Sequence, residues 1–185
     1  CTLHFFQVFF VEILQIMIIA ALIIIPVRFL LIKPFIVRGA SMEPNFHNDE
    51  YLIIDEISYR FNDAQRGQVV VFSPPSNESG EFYIKRVIGL PGETVEIEDG
   101  RITIFNELYP NGAQLTESYI DEYTHGRVKV TLELDEYYVL GDNRDESLDS
   151  RRFGPIKVDS IVGKVLLRGL PLDKFGTVPK PEYLF

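Results

Sequence analysis

The stretch TVEIEDGRITIF, residues 94–105, decides what kind of fold this chain has. Val95 and Ile97 alternate with Glu96 and Glu98, then Asp99–Gly100 intervenes, and Ile102 and Ile104 resume the alternation. Successive side chains of a strand point to opposite faces, so each arm has one apolar face. Asp-Gly readily takes the two left-handed conformations that a two-residue hairpin turn needs. The segment therefore reads as an antiparallel hairpin, and its surroundings read alike. YLIID (51–55), GQVVVF (67–72), FYIKRVIGL (82–90), VKVTLEL (128–134), YYVL (137–140) and SIVGKVLL (160–167) are strand-like runs. GQVVVF runs into a Pro74–Pro75 loop with Ser76, Ser79 and Gly80, and Pro91–Gly92 marks a type II turn. Residues 106–127 are polar and turn-rich, the place for an irregular insertion. The predicted class is mainly antiparallel β with one helix outside it.

That helix is N-terminal. Residues 5–32, FFQVFFVEILQIMIIAALIIIPVRFLLI, are almost wholly apolar. The charge-free part, residues 13–27, is shorter than a span of about 20 residues. Glu12 and Arg28 can snorkel and lengthen it. A buried core helix this apolar all round would need a large partner domain, and a cleavable signal peptide would end in a small-x-small site. A single transmembrane helix over about residues 8–30 is the expectation, kinked or ended near Pro26. The basic flank on its C-terminal side points the remainder toward the cytoplasm. The chain begins with Cys1 rather than Met, so charge alone leaves topology open.

The 185 residues allow one medium domain or a core with a sizeable insertion. Of the net charge of −9, residues 1–38 contribute +2 (Arg28, Lys33 and Arg38 against Glu12), leaving −11 for the rest. A domain that acidic offers no basic stripe for phosphates, which speaks against nucleic acid. With Cys1 the only cysteine, no intramolecular disulfide forms. Three histidines, and acidic pairs without metal-loop spacing, give no metal site. No cofactor is expected.

Candidate chemistry starts at RGASMEPNF (38–46), where Ser41 sits at a turn just beyond the apolar run. His47, with Asp49 nearby, is a conceivable base, but a triad needs groups converging to about 3 Å, and a loop histidine is the simpler reading. His4 lies at the anchor's edge and His125 in the insertion. The other candidate is Lys85. Alternation puts Tyr83, Lys85 and Val87 on one face and Phe82, Ile84, Arg86 and Ile88 on the other. One charge must then face apolar neighbours unless the strand is an edge. A lysine in water is neutral in about one molecule in 2,500 at pH 7, and burial raises that fraction; a salt-bridged structural lysine is the alternative. GDNRDESLDSRRFGP (141–155) is too polar for a buried strand. Asp142, Arg144, Asp145, Asp149, Arg151 and Arg152 can lock it as a loop, with Ser147 able to orient an amine. A charged, exposed turn fits the same composition.

Taken in order, GASMEPNF after an apolar segment, RGQVVVF, YIKRVIGLPGE and GDNRDESLDSRRFGP resemble the bacterial type I signal (leader) peptidases, serine peptidases with a Ser/Lys dyad. The likeness runs from the anchor to about residue 156, and its last two motifs are highly specific. It implies Ser41 as nucleophile, Lys85 as general base, Ser147 orienting the amine, Asp149 and Arg151 bracing the site, and Asp142 and Arg144 in the same loop. The implied reaction removes N-terminal signal peptides from secretory precursors after Ala-x-Ala-like ends, through an acyl-enzyme. The Ser41 N–H would hold the oxyanion. Gly39 stands where some members carry a serine, so the second donor stays unassigned.

The resemblance also implies an antiparallel β-sheet catalytic domain on the extracytoplasmic side of the plasma membrane, overruling the charge reading. FLLIKPFIV (29–37) would dip into the lipid interface. Substrate would lie in extended form near Met42, Pro44, Tyr83 and Ile84. The expected division is a membrane anchor (1–32), a catalytic β core (33–92 and 137–185) and a hairpin with irregular insertion (93–136), acting as a monomer with membrane lipid and secretory precursors as partners. Two alternatives are a Ser/Lys self-cleaving repressor, against which the anchor and acidity speak, and an inactive membrane-anchored binding protein of the same fold. The second would tolerate loss of Ser41 or Lys85, yet both are present.

Overall fold

The computed structural model describes residues 2–30, 33–57, 59, 62–75, 80–181 and 183, except the side chains of residues 2–5, 8, 24–30 and 33. Ser76, Ser79, Leu31, Ile32 and the side chains of His4, Pro26 and Arg28 lie outside that description. Helix α1 (Thr2–Leu30) starts earlier than residue 8, and Pro26 does not end it. Its large apolar side chains at residues 9–23 are exposed all round, Phe10 at 71 % and Leu22 at 69 %. Among the described residues no helix is long and apolar enough to cross a membrane.

Twelve strands are described beyond it: β1 (Lys33–Ile36), β2 (Tyr51–Asp55), β3 (Val69–Phe72), β4 (Tyr83–Gly89), β5 (Thr94–Glu98), β6 (Arg101–Phe105), β7 (Ala113–Gln114), β8 (Val128–Thr131), β9 (Glu136–Leu140), β10 (Ile156–Lys157), β11 (Ile161–Leu170) and β12 (Gly176–Thr177). A short helix, α2 (Ser150–Phe153), lies between β9 and β10. The large sheet runs β1–β2–β11–β3–β4–β9–β10, with β12 on β11, and the small one β7–β6–β5–β8. Every pairing is antiparallel. The class is mainly β.

The hairpin forms as its alternation predicts. Glu98 pairs with Arg101 across Asp99 (φ 49°) and Gly100 (φ 77°), the two left-handed residues of a type I′ turn. Val95, Ile97, Ile102 and Ile104 form its buried face and pack on Ile88, Tyr138 and Leu140 of the large sheet. The small sheet is thereby fastened to β4 and β9, the two strands that lead into the site.

VKVTLEL stops as a strand at Thr131, because the Leu132 N–H turns to the Glu93 carbonyl and Leu134 swings out to 87 % exposure. Within FLLIKPFIV, Lys33–Ile36 forms edge strand β1 on β2, and Val37 enters the core beside Met42, Phe46 and Leu52. Strand β4 is central, between β3 and β9, so both of its charges are enclosed: Lys85 is 4 % exposed and Arg86 2 %.

Candidate active site

Ser41 belongs to a coiled segment between β1 and β2. The Glu43 N–H bonds the Ala40 carbonyl (3.0 Å) and the Phe46 N–H the Met42 carbonyl (2.8 Å). Met42 and Phe46 peg this coil into the core, leaving Ser41 half-buried at its outer end. Gly39 enters the turn at φ 85°, a left-handed conformation that glycine adopts without strain. Its N–H is taken by Asn48 Oδ1 at 3.0 Å.

Strand β4 brings Lys85 to this serine. Lys85 Nζ donates to Ser41 Oγ at 2.7 Å and to the Ile84 carbonyl at 2.8 Å. Burial lowers the amine's pKa from 10.5 to about 8, with Asp149 and Asp142 pulling the other way. His47 lies instead 3.6 Å from Glu43, and His125 is an exposed ring near Asp145 and Tyr123.

In the loop GDNRDESLDSRRFGP, Asp142, Arg144, Ser147 and Asp149 are buried, while Asp145, Glu146, Leu148 and Arg152 face solvent. Asp142, fully enclosed, accepts from Arg86 Nε (2.8 Å), Arg86 Nη2 (2.5 Å) and Asn45 Nδ2 (3.0 Å). Arg144 donates to the Gly141 carbonyl (2.9 Å), both Glu117 oxygens (2.8 and 2.5 Å) and Thr124. Asp149 caps α2 through the Arg151 N–H, receives the Gly141 N–H (3.1 Å) and pairs with the Arg151 guanidinium (2.9 Å). The Asn143 N–H bonds the Ser41 carbonyl at 3.2 Å, joining loop to nucleophile segment. Gly141 is a close-approach position. A Cβ there would stand 2.5 Å from the Ser41 carbonyl oxygen and 2.2 Å from Ser147 Oγ. Ser147 is buried, and its Oγ has no hydrogen-bond partner among the described residues.

A cleft of about 560 Å³ opens over Ser41 and Lys85. Residues 35–40 and 80–84 wall it, with Leu52 and Val71 lining it too and Glu146 and Leu148 from the loop. Tyr83 and Ile84 line it. Met42 and Pro44 do not: Met42 is in the core, and exposed Pro44 lines a separate cavity of about 400 Å³ with Asn45, Arg86 and Tyr119. Asn45, Glu117, Tyr119, Glu122 and Thr124 touch this loop or its ion pairs, and sequence reasoning passed over them. All but Asn45 lie in the insertion, whose only signal was a set of acids able to partner a buried arginine.

A family model described as "Signal peptidase, peptidase S26" matches residues 10–170. Signal peptidase I of Leptolyngbya laminosa is 40 % identical, the match covering 80 % of this chain and 73 % of that protein. Signal peptidase IB of Staphylococcus aureus is 34 % identical over 82 % of this chain and 85 % of its own length. A solved signal peptidase I from Enterococcus faecalis V583, 34 % identical, covers 56 % of this chain and 97 % of its own, with a TM-score of 0.48. The family assignment rests on the family model and the sequence identities.

Proposed function

The chain belongs to the signal peptidase family, peptidase S26, and is a serine endopeptidase that removes signal peptides; on that premise we propose that Ser41 is its nucleophile and Lys85 its general base. One observation carries the reading: a lysine amine shielded from water, its pKa lowered to about 8, lies 2.7 Å from a serine hydroxyl at the mouth of a cleft. At pH 7 about one such lysine in eleven is neutral, against about one in 2,500 in water.

Neutral Lys85 takes the Ser41 proton as Oγ attacks the scissile carbonyl carbon. The oxyanion forms against the Ser41 N–H. The Gly39 N–H, occupied by Asn48, is not the second donor. The carbon–nitrogen bond breaks, and the Lys85 ammonium returns its proton to the leaving amine. Water then opens the acyl ester, with Lys85 again taking a proton and restoring Ser41. The Ile84 carbonyl holds the amine on Ser41, while Ser147, expected to orient it, packs against Gly141 beside Ser41 with its Oγ making no bond to the amine. Asp142, Arg144, Asp149 and Arg151 brace that loop.

The substrate lies extended between residues 36–40 and 80–84, pairing backbone to backbone. This replaces the expected contact at Met42 and Pro44. The lining by Leu52, Val71 and Ile84 suits small apolar side chains of Ala-x-Ala type. Helix α1, whose described side chains alone fall short of a span, anchors the chain in the plasma membrane by a single pass, the catalytic domain lying outside the cytoplasm. Support comes from its apolar side chains, exposed on every side, which suit lipid and not water. Strand β1 begins three residues after α1 ends and leads straight into the cleft wall, bringing the site to the bilayer surface. All the site groups come from one chain, in keeping with a monomer. Reconstitution with a secretory precursor in detergent or vesicles tests the dyad: Ser41→Ala and Lys85→Met are expected to leave the precursor intact, and full processing by either overturns the assignment.

A further inference from the structure

Tyr119 occupies a turn of the insertion 106–127, yet three parts of the active site converge on it. Its backbone carbonyl accepts from Asn45 Nδ2 at 2.9 Å, and Asn45 belongs to the segment that carries Ser41. Its ring lies under the guanidinium of Arg86, 4.2 Å from the centroid, and Arg86 follows Lys85 on β4. Its hydroxyl donates to Glu117 and accepts from Arg144 Nη2 (3.4 Å), an arginine of the buried loop. A fourth group closes over it: the Tyr183 hydroxyl donates to Tyr119 at 3.3 Å, with the rings edge-on at 6.3 Å. Burial keeps the Tyr119 phenol protonated far beyond its ordinary range, so the hydroxyl keeps both donating and accepting roles.

We propose that Tyr119 is a positioning residue of the peptidase reaction, holding the Ser41 segment, the Lys85 strand and the buried loop in one register, with Tyr183 as its latch. The proposal rests on the dyad reading above. The physical link is Arg86. Its guanidinium is satisfied by Asp142 and the Gly67 carbonyl on its edge and by the Tyr119 ring on its face. Asp142 in turn accepts from Asn45. Removing the ring opens the Arg86–Asp142 pair to water from the neighbouring cavity, one residue along the strand from the catalytic amine. The charged and titratable groups facing that amine are Asp142 and Asp149 from the loop, Glu146 and Glu81 at the cleft, and Tyr83, whose ring lies 5.7 Å away; Arg86 follows it on β4 but turns to the opposite face. A less neutralised Asp142 favours the Lys85 ammonium.

The test compares kcat, KM and the pH profile of kcat/KM on one signal-peptide substrate for wild type, Ser41→Ala, Tyr119→Ala, Tyr119→Phe and Tyr119→Leu. In Tyr119→Ala, kcat at pH 7 is expected to fall at least about tenfold with KM changed less than about threefold, and the acidic limb to move up by about one pH unit. Tyr119→Phe, which keeps the ring on Arg86, is expected to hold the limb within about 0.3 unit of wild type. Tyr119→Leu fills the space without a π face and decides the matter if the alanine variant does not fold; its limb is expected to move as well. A limb that stays in place in the alanine or leucine variant overturns the proposal, whatever the loss of amplitude. Activity in Ser41→Ala would instead overturn the dyad reading, so the two failures are told apart.

Discussion

Lys85 and Arg86 are neighbours on one central strand and almost equally buried, yet their environments drive them apart. Arg86 meets both carboxylate oxygens of Asp142, the Gly67 carbonyl and an aromatic face, and its pKa is raised despite burial. Lys85 meets a serine hydroxyl and a backbone carbonyl, and its pKa falls. Desolvation is common to both, and the counterion is the difference. A buried cation with a bidentate partner is a brace. One held only by neutral oxygens is a base.

The largest effect that can break this contrast is on activity. Lys85→Met removes the base, and turnover is expected to drop by about 10²–10⁴-fold or more in a steady-state assay. Lys85→Arg should fare no better, since a guanidinium does not deprotonate near neutrality. The same methionine variant should stabilise the fold. Lys85 titrates near 10.5 unfolded and about 8 folded, so below pH 8 the folded state carries the full cost of a buried ammonium. That cost is about 3 kcal/mol, an upper figure for the gain on substitution. As pH rises from 8 through 10.5 the unfolded state binds more protons than the folded one, so the wild type catches up. Denaturant melts at pH 7 and pH 10.5 check both the gain and its fading.

On the other side of the strand the sign reverses. Asp142→Asn leaves Arg86 buried without its counterion and is expected to cost about 3–5 kcal/mol, read as a lower midpoint in denaturant. Gly141→Ala comes next. Its Cβ would press on the Ser41 carbonyl and Ser147, with an expected cost of about 1–3 kcal/mol and a loss of kcat larger than the loss of stability. Smallest is Arg38→Gln. The exposed Arg38–Asp49 pair beside the cleft contributes less than about 1 kcal/mol, so the melt should barely move.

Much of this was legible in the chain. Period-two alternation marks β5, β6 and β8, Asp99–Gly100 marks a turn type, and the active-site loop stands out as a charge-dense run between strands whose burial its composition left open. The 44 residues separating Ser41 from Lys85 carry no spacing rule, so their meeting was legible only through likeness to a family. Met42 misled because adjacency to a nucleophile suggests a substrate contact, whereas the local coil turns it into the core. Tyr119 left no trace, since an insertion without periodicity does not announce which of its aromatic rings will cover a distant guanidinium. Arg86 was readable as a charge in trouble on an internal strand, but its partner was not.

The central claim is that Lys85 works as a neutral amine because burial without a counterion lowers its pKa. The pH dependence of kcat/KM on a signal-peptide substrate tests this most directly. Activity should rise with pH along an acidic limb centred near pH 8, and Ser41→Ala should show none. Activity that stays flat down to pH 5, or a limb near the ordinary lysine value of about 10.4, would contradict it.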